Sequence, residues 1–164
     1  LLDKKVIAKL YEASANGVRI DLIVRGICTL RPGIAGVSDN ITVRSIVGRF
    51  LEHHRLFYFR NGGNEKIFLS SADWMPRNLN ERVELMIPIE DKRHKARIKG
   101  ILDLYLVDTL KAHLMRSDGS YYKVSNIEGP LSAQEELMEA ANTQDSREQM
   151  TVIERFKPMF KMKE

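Results

Sequence analysis

The sequence holds one cysteine, Cys28, in 164 residues, so no disulfide can form within the chain. A single thiol favours a reducing compartment. No apolar run is long enough to cross a bilayer as a helix, and the first residues carry no signal-peptide pattern. Neither charge sign dominates: 26 Lys and Arg stand against 22 Asp and Glu, a formal charge of +4. That excess permits an anionic partner without requiring one. There is no Walker loop, dinucleotide fingerprint or zinc-ligand spacing. Asn61-Gly62-Gly63-Asn64 reads as a hairpin turn rather than a phosphate cradle. Internal repeats and low-complexity tracts are missing as well.

What remains is an ordinary globular composition, 43% hydrophobic and 29% charged, in a chain long enough to bury one real core. Leu1-Leu2-Asp3 opens directly onto a helix pattern with no start methionine, which reads as a piece of a longer protein. The expected division is a domain over 1–142 and a polar tail over 143–164. The closing run TVIERFKPMFKMKE has apolar residues but is interrupted by Pro158. It is expected to be mobile or to lean on another surface.

Asp3 to Asn16 reads as a helix, capped by Asp3 and striped by Val6, Ile7, Leu10 and Tyr11, with Gly17 at the left-handed stop. The β-branched run VRIDLIV follows and ends at Arg25-Gly26. A helix, a tight turn and a buried strand suggest a βαβ-type sheet, in which ligands gather beyond the carboxyl ends of the strands. Ile27 to Asn40 is a loop with Pro32, Gly33 and Gly36. Strands are expected over 41–47, 55–60, 66–69 and 82–89, with a short turn or helical piece over 48–52. A long helix is expected from Asp91 to about Arg116, with Ile98, Ile101, Leu102, Tyr105 and Thr109 on one face. Asp118-Gly119 makes a turn before a short strand over 121–124. Ser132-Ala-Gln-Glu135 is a capping box that opens a helix to about Asn142.

The run from Ser45 to Asn78 carries the chemistry. It sets His53 at the entry of a strand among Arg49, His54 and Arg55. An imidazole among guanidinium groups suits the handling of phosphoryl groups. His54 points the other way from His53 in extended structure, and Arg55 shares the His53 face. A surface histidine at a strand start is the bland alternative, at about even weight. Arg25 ends a buried strand, where it either snorkels at the rim or faces a ligand; Gly26 allows a close approach. Ser70, Ser71 and Asp73 follow the return strand and either hold a phosphate or cap the turn near Trp74-Met75. Arg77 extends the polar site or ends that turn, and Arg31 and Arg44 either widen a basic groove or are solvated. His94 and His113 sit in the charged helix and take no assignment.

Three stretches, LYEASANGVRIDLIVRGICTLRPGIAGVSDNI, VRSIVGRFLEH and FLSSADWMPRNLNERVELMIPI, resemble the last domain of bacterial polyphosphate kinases of the family-one type. The match runs colinearly from Leu1 to Ile89 and more loosely to about Ala140. The resemblance implies an α/β domain of phospholipase D-like fold, a mixed β-sheet flanked by helices. Members of that fold pair two halves, each bringing an H-x-K-x4-D element. Here His53-His54-Arg55 stands at H-x-K with arginine for lysine, and Arg60 falls at the aspartate. Ser70-Ser71-Ala72-Asp73 looks like a variant of the downstream G-S-x-N element. These departures argue against phosphodiester hydrolysis.

The resemblance further implies reversible transfer of the terminal phosphate of ATP to inorganic polyphosphate, through a phosphohistidine in a preceding domain. Arg25 and His53 match the nucleotide-contacting catalytic positions, with Arg49, Arg55, Ser70, Ser71 and Arg77 as further phosphate-binding candidates. Mg2+ is expected for the complete enzyme, with no ligand for it in this chain. The implied partners are ATP, ADP, polyphosphate, the enzyme's preceding domains and further copies of itself, with no nucleic acid. The implied location is the cytoplasm, including the inner face of the membrane. Half of a two-part site is expected to be nearly inert. The rival readings are a phospholipase D-like phosphodiesterase and a non-catalytic module that binds polyanions.

Overall fold

The computed structural model describes residues 1–124 and 129–142. The expected tail over 143–164 lies outside the described residues. Helix α1 (Lys4–Ala15) starts where predicted, because the Asp3 carboxylate accepts the Val6 N–H at 2.9 Å. Gly17 follows with φ +82, a left-handed stop that only glycine adopts without cost. Strand β1 (Ile20–Ile23) then pairs in parallel with β2 (Ile41–Ile46), Ile20 opposite Ile41 and Ile23 opposite Arg44.

Alternation along β2 splits the core between two faces. Ile41 and Val43 point toward α1 and pack with Leu30 and Met115, against Ile7, Leu10 and Tyr11. Ile46 points the opposite way, into a cluster of Leu104, Tyr105, Ala112, Leu131 and Ala133. That second cluster is built by α3 (Lys92–Val107) and α4 (Ala133–Asn142). The sheet thus carries helices on both faces. Its order is β1-β2-β6-β7, with β6 (Ala112–Met115) and β7 (Tyr121–Lys123) antiparallel, so it is mixed.

The aromatic hairpin forms a sheet of its own. Strands β3 (Arg55–Phe59), β4 (Lys66–Ser70) and β5 (Met86–Ile89) pair antiparallel in that order. Asn61 and Gly62 turn the hairpin with φ of +46 and +62. Phe57 stacks on Trp74 at 4.9 Å between ring centres, just before α2 (Pro76–Glu81). The expected 82–89 strand begins only at Met86, and 48–52 is bent backbone with no helical turn.

One expectation fails outright. The helix predicted to about Arg116 stops at Val107, and His113 lies on strand β6, opposite Ser45 of β2. Asp108 is the physical reason. It leaves the helix with ψ 127, and its carboxylate accepts the N–H groups of Lys111 and Ala112 at 2.7 and 3.0 Å. The chain is turned back there into the sheet, between β2 and β7. No helix among the described residues is long and apolar enough to cross a membrane.

Candidate active site

Strands β1 and β2 run in parallel, so their carboxyl ends lie on one side of the sheet. Arg25 leaves the first and the segment 47–54 leaves the second. The Ser45 hydroxyl reaches the Arg25 carbonyl at 3.4 Å, and the Arg25 Nη1 donates to the carbonyl of Glu52. The guanidinium therefore sits one peptide away from His53. Both side chains are exposed, and the remaining N–H groups of Arg25 meet no partner among the described residues.

Glu52 organises the segment. Its carboxylate lies 3.4 Å from His54 Nδ1 and accepts from Gln134 Nε2 at 2.9 Å. Tyr105 is buried at 4% exposure; burial first, and Glu52 second, push its phenol well above the ordinary range. His54 stacks on that ring at 5.6 Å. His54 therefore leans on α3, whereas His53 is turned toward β3. Gln134 of α4 clamps the same segment: its amide accepts from Phe50 N at 3.0 Å and donates to Phe50 O at 2.8 Å. Gly48 is required beneath it, since a Cβ there would lie 2.3 Å from Gln134 Oε1. A hollow of about 280 Å³, lined by Phe50, Glu52, Gln134, Leu137 and Met138, opens beside the clamp.

Arg55 makes the most contacts in the site. Its Nε and Nη2 meet the two Asp73 oxygens at 3.0 Å each, a forked pair. Its Nη1 reaches His53 Nδ1 at 3.1 Å and the His53 carbonyl at 2.9 Å. These bonds hold the Asp73 carboxyl below the ordinary carboxylate range, against an opposing push from burial.

The other candidates separate. Ser70 is buried, donates to Leu85 O at 3.0 Å and accepts from Ala72 N at 3.1 Å. Ser71 donates to the Glu84 carboxylate and accepts from Leu85 N. Both serines thus tie β4 to the approach of β5, and neither caps α2, whose start has no side-chain cap. Arg49 is exposed with its guanidinium 5.5 Å from the Phe50 ring centre, and Arg77 is exposed on α2. Arg44 is held by the fold rather than solvated: its Nη1 donates to Asp108 O at 2.8 Å and Tyr105 O at 3.4 Å, capping the end of α3. Arg31 lies against Gly119, where any Cβ would overlap its guanidinium. Glu52, Tyr105 and Gln134 escape sequence reasoning because the contacts that bring them together, Glu52 with Gln134 and Gln134 with Phe50, join distant parts of the chain. Asp73, a candidate in the sequence, is found to pair with Arg55 eighteen positions away rather than to cap the turn. Among the described residues no group of three His, Cys, Asp or Glu stands close enough to hold a metal ion.

The family model described as polyphosphate kinase C-terminal domain 2 matches residues 1–134. The polyphosphate kinase of Pseudomonas aeruginosa is 56% identical over 141 residues, covering 85% of this chain and 20% of that protein. The polyphosphate kinase of Bacillus anthracis is 58% identical over 126 residues, covering 77% of this chain and 18% of that protein. The crystal structure of polyphosphate kinase from Porphyromonas gingivalis superposes with a TM-score of 0.84 at 42% identity, covering 92% of this chain and 23% of that one. The chain spans about a fifth of the length of the curated relatives it matches.

Proposed function

Since the chain belongs to the polyphosphate kinase family, as its C-terminal domain 2, we propose that it supplies one half of a two-part active site that moves the terminal phosphate of ATP onto polyphosphate, reversibly. One observation carries the reading: the Arg25 guanidinium is bonded to the peptide immediately before His53, on the carboxyl-end side of the parallel strands. A fixed positive charge beside an imidazole suits a migrating phosphoryl group, whose charge spreads over its outer oxygens. Arg25 neutralises that charge. His53 hydrogen-bonds the phosphate chain from the same side. The residue that carries the phosphoryl group belongs to a preceding domain. Mg2+ would arrive on the ATP phosphates, where it screens their charge. The same reading places the protein in the cytoplasm, with further copies of the complete chain as partners.

The site is an open rim rather than a closed pocket, which fits a surface completed by another domain. Positioning supplies most of the catalysis in phosphoryl transfer, so the chain alone should be nearly inert. Joined to the preceding domains of the Pseudomonas aeruginosa relative, it should synthesise polyphosphate from ATP. His53→Ala or Arg25→Ala should then lower kcat by about 10²–10³-fold while polyphosphate still binds. Undiminished synthesis by both variants would remove this assignment.

A further inference from the structure

Arg55 stands where the family pattern suggests a phosphate-binding cation, yet its fork is closed by Asp73. The remaining nitrogen, Nη1, points back at His53. A guanidinium has N–H donors and no acceptor. Where Nη1 meets Nδ1 at 3.1 Å, the ring nitrogen must accept. A neutral ring with its lone pair at Nδ1 carries its hydrogen at Nε2. Among the described residues Nε2 has no partner, and the side chain is exposed.

We propose that Arg55, held by Asp73, is a positioning residue that locks His53 in the Nε2–H form, so that the ring offers the incoming phosphate chain a hydrogen-bond donor rather than a nucleophilic lone pair. The inference rests on the site reading above for what His53 meets, but the lock itself is a property of this chain alone. Three details support it. The fork fixes the plane of the guanidinium, which a single bond would leave free to rotate. Nη1 also holds the His53 carbonyl at 2.9 Å, so ring and backbone are fixed by the same group. Arg55 opens β3 opposite Ser70, with its side chain only 19% exposed, so it is anchored in the sheet rather than free to reach a ligand. Orientation of a functional histidine by a partner on its other nitrogen is a general device. Here that partner is a cation, which is the unusual feature.

The test is the ring nitrogen spectrum of the chain labelled with 15N-histidine, at a pH where the rings are neutral, with His53 assigned by its loss in His53→Gln. The wild type should show Nδ1 as an unprotonated nitrogen and Nε2 as a protonated one, with no Nδ1–H population. Arg55→Met should raise the Nδ1–H population to that of a histidine in a short peptide, and Asp73→Asn should give a smaller shift in the same direction. Amide spectra of β3 and β4 report whether each variant keeps its fold, and the wild-type spectrum decides if one does not. A wild-type ring that carries its hydrogen on Nδ1, or averages between both forms as a free ring does, would overturn the proposal. Adding polyphosphate then tests the site separately: the Nε2–H resonance should move. If it does not, the phosphate reading fails and the lock stands.

Discussion

Arg55 and Asp73 show how a charged pair can matter more for geometry than for stability. Each of the three outward nitrogens of Arg55 has an acceptor, two on the carboxylate and one shared by the His53 ring and carbonyl. The Asp73 side chain keeps 48% exposure, so solvent screening limits the pair to about 1 kcal/mol or less. Its pH dependence has a definite sign. The folded carboxyl lies below its ordinary range, chiefly because Arg55 donates to it. Its stabilising effect is therefore complete above the unfolded value, near pH 4, and disappears as the pH falls through the folded value. Asp73→Asn should flatten this part of the acid limb. The measurement is the urea midpoint of both chains from about pH 6 down to about pH 2. Equal losses in the two chains would show that the pair contributes nothing to folding.

At the level of elements, the segment 47–54 is the piece that makes the site, and it has no regular structure of its own. Gln134 reads the Phe50 peptide from both ends, and Gly48 leaves the space for that amide. Gln134→Ala leaves the Phe50 N–H and C=O without their partner, a cost of about 1–3 kcal/mol. Gly48→Ala sets a methyl group against the same amide and should cost a similar amount. The two should not add, because removing the amide also removes the clash; a double mutant in thermal unfolding should cost clearly less than the sum. Strict additivity would mean that the glycine serves something other than the clamp. None of this contact is visible in the sequence, where Gly48 and Gln134 stand far apart. What is visible is local: the Asp3 cap and stripe of α1, the β-branched β2, the Asn61-Gly62 turn and the start of α4. The end of α3 is hidden for the same reason as the clamp. Thr109 continues the helical stripe, and neither glycine nor proline stands between Val107 and Arg116, while the acceptor that stops the helix is Asp108 acting partly on Ala133. The positions of Arg25 just after β1 and of His53 just before β3 are legible because each strand end is marked in continuous sequence.

Across the whole molecule, Asp108 is the joint that makes two helices and the mixed sheet one body. It is fully buried, and its carboxylate accepts from Lys111 and Ala112 at the start of β6 and from Ala133 at the start of α4, at 2.8 Å for the last. Its carbonyl takes Arg44 from β2. The consequence reaches the site, because α4 carries Gln134 and β2 leads into the clamped segment. Removing the carboxylate strands three backbone donors, so Asp108→Ala should cost about 3–4 kcal/mol and lower Tm by roughly 6–16 °C. Asp108→Asn keeps one acceptor oxygen but turns an NH2 toward a backbone donor, so it should fall between that variant and the wild type. Amide hydrogen exchange separates a joint from a local cap. If the carboxylate unites the layers, protection in β2, β6 and α4 should fall together in Asp108→Ala. Loss confined to α4 would reduce Asp108 to the cap of one helix, and the Phe50 and Glu52 contacts would then depend on Gln134 alone.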